Sequence, residues 1–280
     1  MKELNHHSEI KWIKKFVKNS VEIENLKYLM QLTPNLLPSI KIITDNYYIM
    51  EKCNVIEPKD FAPANFYRLY SELLMPLHKF KKNNYTPGIY KYFAPYTLNS
   101  EIKEQYYIPY IMNELKKLIC NISIDFTELL EDTYFLNLVR SLNSISIYFK
   151  DWKPYNGYNL LHGDLHIGNI VKKNNSYLLI DFEYLHYGSK ELEIANFIIS
   201  SLIWHYKKNH NYTELKKLII DYFQTCNEFS FFDYSLLKFF FVYSLTLFYL
   251  SAYLKKDKIG LETIHKITEL YRIIGDDKDE

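Results

Sequence analysis

Residues 160–187, LLHGDLHIGNIVKKNNSYLLIDFEYLHY, constrain this chain more than any other stretch. Two apolar runs, ending at Leu161 and Ile180, each deliver the backbone into polar residues. His162, Asp164 and Asn169 follow the first, and Asp181 and Glu183 follow the second. A short loop bearing Gly163 and Gly168 can turn tightly enough to aim Asp164 and Asn169 into one cleft. A strand closing on Asp181 can hold that carboxylate rigidly at the cleft floor. A carboxylate to receive a proton, an amide oxygen and a second carboxylate suit phosphate chemistry assisted by a hard cation such as magnesium.

The flanking sequence supplies an α+β frame. Residues 10–17, IKWIKKFV, read as a short strand. Asn19-Ser20 offers a helix cap before VEIENLKYLMQL, in which Glu22, Leu26 and Leu29 share a face. TPNLLP ends that helix. SIKIIT and YYIMEK then read as two strands around Asp45-Asn46. Residues 53–63 are irregular and mark the expected boundary between a small N-terminal lobe, 1–55, and a larger helical lobe, 56–280. Within the second lobe, helices are expected over 64–80, with a possible kink at Pro76, and over 101–120, 126–149, 191–205, 212–223, 234–254 and 261–274.

Composition narrows the function classes. The 280 residues carry 34 Lys and Arg against 33 Asp and Glu, a net charge of +1, so nothing favours a nucleic-acid partner. Cys53, Cys120 and Cys226 are odd in number and far apart, which argues against a disulfide framework or a cysteine zinc site. The N-terminus lacks a signal-peptide core, so the cytoplasm is the expected compartment. YSLLKFFFVYSLTLFYLSAYL, residues 234–254, is long and apolar enough for a membrane span, but Lys238 and its hydroxyl groups favour a helix buried in a large core, and no membrane partner is expected.

HGDLHIGN has the HxDLxxxN spacing of a kinase catalytic loop. LLHGDLHIGN followed by LLIDFEY resembles the aminoglycoside phosphotransferase and choline/ethanolamine kinase superfamily. Asp-Phe-Glu-Tyr is nearest to the choline/ethanolamine kinases, and YGSKELEIANF resembles a stretch of the fructosamine kinases. The resemblance implies a two-lobed, protein-kinase-like fold that uses ATP and Mg²⁺ to phosphorylate a hydroxyl of a small molecule, aminoglycoside-, choline- or amino-sugar-like.

It also implies roles. Asp164 is the catalytic base, with His162 the histidine that structures its loop. Asn169 and Asp181 are magnesium ligands. A strand lysine on the phosphates pairs with a helix glutamate: Lys14 and Glu22 first, Lys15 and Glu24 as alternates. Met50 to Cys53, including Glu51, is the hinge that reads adenine. Glu193 stands where the family carries an Asp that braces the catalytic loop. Glu183 is left between a second metal contact and a turn cap.

One departure is plain. No glycine precedes Gly88, and few residues precede Lys14, so the phosphate-covering hairpin of a complete small lobe is expected to be vestigial or absent. That motivates the alternative of a catalytically impaired, pseudokinase-like binding module. A zinc hydrolase built on His162 and His166, at i, i+4 spacing, is a third reading. Trp204, Tyr206, Tyr222, Phe240, Tyr243 and Tyr249 are candidates either for a pocket wall or for an aromatic core. The oligomeric state is left open.

Overall fold

The computed structural model describes residues 11–17, 20–83, 107–125, 127–154, 156–229 and 232–276. The fold is α+β, with small sheets in the N-terminal region and a large helical C-terminal part.

β1 (Trp12–Phe16), α1 (Ser20–Leu32), β2 (Ile40–Ile43) and β3 (Tyr47–Glu51) follow the expected strand, helix, strand, strand order. The sheet runs β1-β3-β2, all antiparallel. Pro34 ends α1 as expected, opening a 3-10 turn at Pro34–Leu36. On α1, Glu22, Asn25, Leu26 and Leu29 form one buried stripe at i, i+3, i+4 and i+7. Two polar residues inside that stripe have no packing reason to be there.

β4 (Asn54–Val55) leads through a 3-10 turn, Pro58–Phe61, into α2 (Pro63–Leu69), a π-helical turn (Tyr70–Leu74) and α3 (Met75–His78). The distortion expected at Pro76 takes the form of this wide turn just before it, where the Met75 N–H reaches back to the Tyr70 carbonyl. A proline ring would strike the carbonyl four residues earlier in a regular α-helix, and the wider turn relieves that clash.

β5 (Lys81–Lys82) precedes α4 (Tyr107–Asp125). Pro109 falls in the first turn of α4, where its missing N–H leaves no intrahelical bond unmade. The expected helix over 126–149 is divided. A 3-10 turn, Thr127–Leu130, ends before Asp132, whose carboxylate accepts from the N–H groups of Tyr134 and Phe135 and starts α5 (Thr133–Ser146).

β6 (Tyr158–Leu161), β7 (Ile170–Lys173), β8 (Ser176–Leu179) and β9 (His186–Gly188) build two further three-stranded sheets, β4-β7-β8 and β5-β6-β9. β7 and β8 form a hairpin whose two turn residues, Asn174 and Asn175, both have positive φ. The chain closes with α6 (Lys190–Asn209), α7 (Tyr212–Glu228), α8 (Tyr234–Leu254) and α9 (Lys258–Asp276). α8 is the hub of this part and packs on α5, α6 and α9. It passes the length and composition test for a membrane span, and 78% of its most apolar window is buried inside the protein.

Candidate active site

The loop between β6 and β7 carries the first half of the site, and its shape follows from a few bonds. Gly163 has φ +83°, and a Cβ there would lie 2.0 Å from the Tyr184 carbonyl oxygen, so only glycine fits. The Asp164 N–H donates to His162 Nδ1 at 3.3 Å, which leaves the His162 proton on Nε2, 2.9 Å from the Ile180 carbonyl. His162 is fully buried against the Phe182 ring. Both its nitrogens are therefore committed to backbone, one on each half of the site. These are the bonds expected of the histidine that structures the loop beside Asp164, and they leave neither ring nitrogen of His162 to a zinc ion. Among the described residues, no group of three or more His, Cys, Asp or Glu side chains is arranged to hold a metal.

Asn169 is buried, and its Nδ2 donates to the Asp164 carbonyl at 2.9 Å. That bond fixes the five-residue span and leaves Oδ1 as the end of the amide able to meet a cation. Asp181 has φ +71°, a conformation uncommon outside glycine that Asp tolerates better than most. Backbone held in such a state marks a position over-determined by its surroundings. The constraint is visible next door. Phe182 is buried, and its carbonyl accepts from Asn25 Nδ2 on α1 at 2.7 Å.

α1 thus reaches the Asp181 turn directly. Asn25 is one anchor, and the Tyr28 hydroxyl, 2.9 Å from that of Tyr187, is a second. Glu22, on the same stripe, accepts from Lys15 Nζ at 2.7 Å and from the Tyr48 hydroxyl at 2.9 Å. Lys15 Nζ also lies 3.1 Å from Asp181 Oδ1. Burial, and then the charge of Glu22, hold the Tyr48 phenol well above its ordinary pKa, so it stays a donor.

Lys14, the first expected phosphate lysine, is not in this cluster. Successive strand residues face opposite ways, and Lys14 is exposed with Nζ 3.6 Å from the centre of the Tyr47 ring. Lys15, the alternate, takes its place. Glu51, in the expected adenine hinge, is buried: its carboxylate meets Lys173 Nζ at 2.7 Å and its N–H donates to the Ser39 carbonyl. Burial pushes the Glu51 carboxyl up, but Lys173 and Ser39 together hold it below its usual range. Cys53 is half-buried, and burial, then the Glu51 charge, push its thiol up.

The brace beneath the loop is Glu193 on α6. Its Oε1 accepts from the Gly163 N–H at 3.0 Å, and its Oε2 meets His78 Nε2 at 2.8 Å. Glu is longer than the Asp that the resemblance places here, and it reaches two partners at once. Burial raises the Glu193 carboxyl, yet His78 and Gly163 outweigh it and leave the pKa lowered. Glu183 hydrogen-bonds Tyr184, whose hydroxyl is pushed up first by burial, then by Glu183, Asp164 and Asp181. Tyr184 therefore stands within the field of all three carboxylates.

A cavity of about 470 Å³ opens from Asp164 and His166 toward Trp204, Lys207, Phe248 and Asp257, between α6, α8 and the start of α9. Of the aromatic candidates, only Trp204 lines it. Tyr222, Phe240, Tyr243 and Tyr249 are fully buried, and Tyr206 nearly so, as core.

No family model and no curated protein matches the sequence. Solved structures do. A thermostable mutant of aminoglycoside phosphotransferase APH(4)-Ia, in ternary complex with AMP-PNP and hygromycin B, superposes with TM-score 0.59 at 9% identity, covering 95% of this chain and 87% of that one. A glucosamine kinase gives 0.60 at 12%, covering 96% and 76%. The ethanolamine kinase of Plasmodium vivax gives 0.53 at 16%, covering 95% and 76%. The fold is that of the small-molecule kinases. Sequence reasoning missed Asn25, Lys207 and Asp257. Only Asn25 had a visible signal, as a polar residue on the apolar stripe of α1.

Proposed function

We propose that the protein is an ATP- and Mg²⁺-dependent phosphotransferase acting on a hydroxyl of a small molecule. The observation that carries this reading is the chain of contacts Tyr48–Glu22–Lys15–Asp181, which meets the Asp164–Asn169 loop beside a cavity sized for a small substrate. Fold neighbours that are small-molecule kinases, one of them in complex with AMP-PNP, support it.

The donor set fits magnesium, which favours a few carboxylate and neutral oxygen ligands and completes its shell with phosphate oxygens and water. Asp181 and Asn169 Oδ1 would hold it, and bound there it would offset the negative charge that builds on the phosphates. Lys15, oriented by Glu22, would pair with the phosphates of ATP. Asp164 would orient the acceptor hydroxyl and take its proton. The acceptor oxygen forms a bond to the γ-phosphorus, the bond from that phosphorus to the bridging oxygen breaks, and ADP leaves with the bridging electrons. Because Lys15 sits on Asp181 here, nucleotide and metal would have to share or replace that contact.

Asp164→Ala and Asp181→Ala are each expected to abolish acceptor-dependent ADP release while leaving the circular dichroism spectrum and melting temperature near those of the parent. Full turnover by either pure variant refutes the assignment. A catalytically impaired binding module is the second reading. It is favoured by the three-strand sheet of the described small lobe, with β1 at its edge. That reading expects no thermal shift with ATP and magnesium.

A further inference from the structure

The cavity beside Asp164 has a charge pattern that bears on its occupant. At its far end Asp257 is the acidic group, and both its oxygens are in use. Oδ2 meets Lys207 Nζ at 2.6 Å, and Oδ1 accepts from the Gly260 N–H at 2.9 Å. Lys207 and the Gly260 amide hold the Asp257 carboxyl below its usual range, with Lys255 contributing. Lys255 itself lines the cavity. The lining therefore holds two lysines, Lys207 and Lys255, and two aspartates, Asp164 and Asp257. The charges cancel, and the one carboxylate away from the reacting end is already neutralised. An ammonium entering that end would meet Lys207 and Lys255, against a carboxylate whose charge Lys207 already offsets. A carboxylate or phosphate would meet Lys255 but also the two aspartates.

What the cavity offers instead is alternation. The Lys207–Asp257 pair sets a donor next to an acceptor, the spacing that two neighbouring hydroxyls can satisfy together. Ser200 and Ser251 add hydroxyls. The indole of Trp204 and the ring of Phe248 supply apolar faces for the C–H side of a saturated ring. Resting on the phosphotransferase reading above, we infer that the acceptor is an uncharged, polyhydroxylated, sugar-like ring rather than an amine. Specificity here comes as much from the like charge that an amine would meet as from contacts to the hydroxyls.

The test is a matched set on the full chain: glucose, glucosamine, in which an ammonium replaces the C2 hydroxyl, and glucuronate, in which a carboxylate replaces the C6 hydroxymethyl group, with choline and ethanolamine added. Binding is followed by isothermal titration without nucleotide, at a pH where the amines are protonated, and turnover by ADP release. Glucose is expected to bind at least tenfold tighter than glucosamine and glucuronate, about 1.4 kcal/mol. Lys255→Glu, an exposed position that should not disturb folding, is expected to improve glucosamine relative to glucose by about tenfold. Tighter binding of glucosamine, choline, ethanolamine or glucuronate than of glucose overturns the inference, as does binding by none of them. The two readings fail separately. Glucose binding without glucose-dependent ADP release leaves the pocket assignment standing and removes the kinase, whereas amine-dependent ADP release does the reverse.

Discussion

Replacing Asn25 with leucine tests whether α1 is set by the reacting centre or only packed near it. The exchange keeps the number and branching of the side-chain heavy atoms and deletes one bond, from Asn25 Nδ2 to the Phe182 carbonyl at 2.7 Å. Asn25 is buried, so the carbonyl loses its partner with little access to water. An unpaired buried polar group costs about 1–3 kcal/mol. The apolar stripe of Leu26 and Leu29 would welcome a leucine and return part of that, so a net loss of about 1–2 kcal/mol is expected. For a chain of this size that lowers the melting temperature by roughly 2–8 °C. The larger effect is on position. Glu22 lies one turn away on the same face, and Lys15 bridges it to Asp181, so a loosened α1 slackens that bridge. ATP-dependent turnover should fall by about tenfold or more, with KM for ATP rising, since an ångström of misplacement is enough for such losses. The assay is ADP release against ATP concentration, beside calorimetric melting. A variant that melts several degrees lower yet keeps the parental KM for ATP and kcat would refute the link between the Asn25 anchor and the lysine cluster.

Other substitutions separate neighbouring residues. Lys15→Met is expected to cut ADP release by about 10²-fold or more, whereas Lys14→Met, which removes only exposed cation–π contacts with Phe16 and Tyr47, should stay within about threefold; equal losses in steady-state kinetics would refute the facing of β1. Gly163→Ala places a methyl 2.0 Å from the Tyr184 carbonyl in a positive-φ residue, so the loop must move, and turnover should be lost with a lowered melting temperature. Acid should destabilise the protein in two stages. His186, His205 and His265 are held below their ordinary 6.5, chiefly by burial, so the unfolded chain binds the extra protons and stability declines as pH falls below that value. The buried His186 contributes a slope of up to about 1.4 kcal/mol per pH unit. Glu193, also lowered, adds a further loss as pH falls below about its ordinary 4.5. A melting temperature flat between pH 7.5 and 5 would contradict the histidine part.

The order of elements was legible because periodicity and punctuation agree in this chain. Pro34 stops α1, Asp45-Asn46 turns β2 into β3, and the apolar run of α8 announces a core helix. The α5 start shows where reading failed. Asp132 is a clear cap in the sequence, but apolar residues on both sides of it sustain a helical pattern that hides the break. The loop between β6 and β7 could be read because its residues are close in sequence, so local spacing reports geometry. The lysine could not be assigned from adjacency. Lys14 and Lys15 are equivalent in composition, and which one faces inward depends on the register of β1 against β3, a fact held by the partner strand. Lys207 and Asp257 were invisible for the same reason, since they lie fifty positions apart and meet only when α6 and α9 dock.

The centrality of α8 also bears on how the chain is made. A helix that is apolar on all sides has no surface that it can leave in water. It leaves the ribosome after α5 and α6, so most of its partners are already available when it appears. The face meant for α9 has to wait until the last nineteen-residue helix is synthesised. Until α9 docks, that face of α8 stays uncovered and resembles cargo for membrane insertion machinery or a chaperone. A stop codon between α8 and α9 would therefore trap it in that condition, and the shortened product should be recovered in the insoluble fraction.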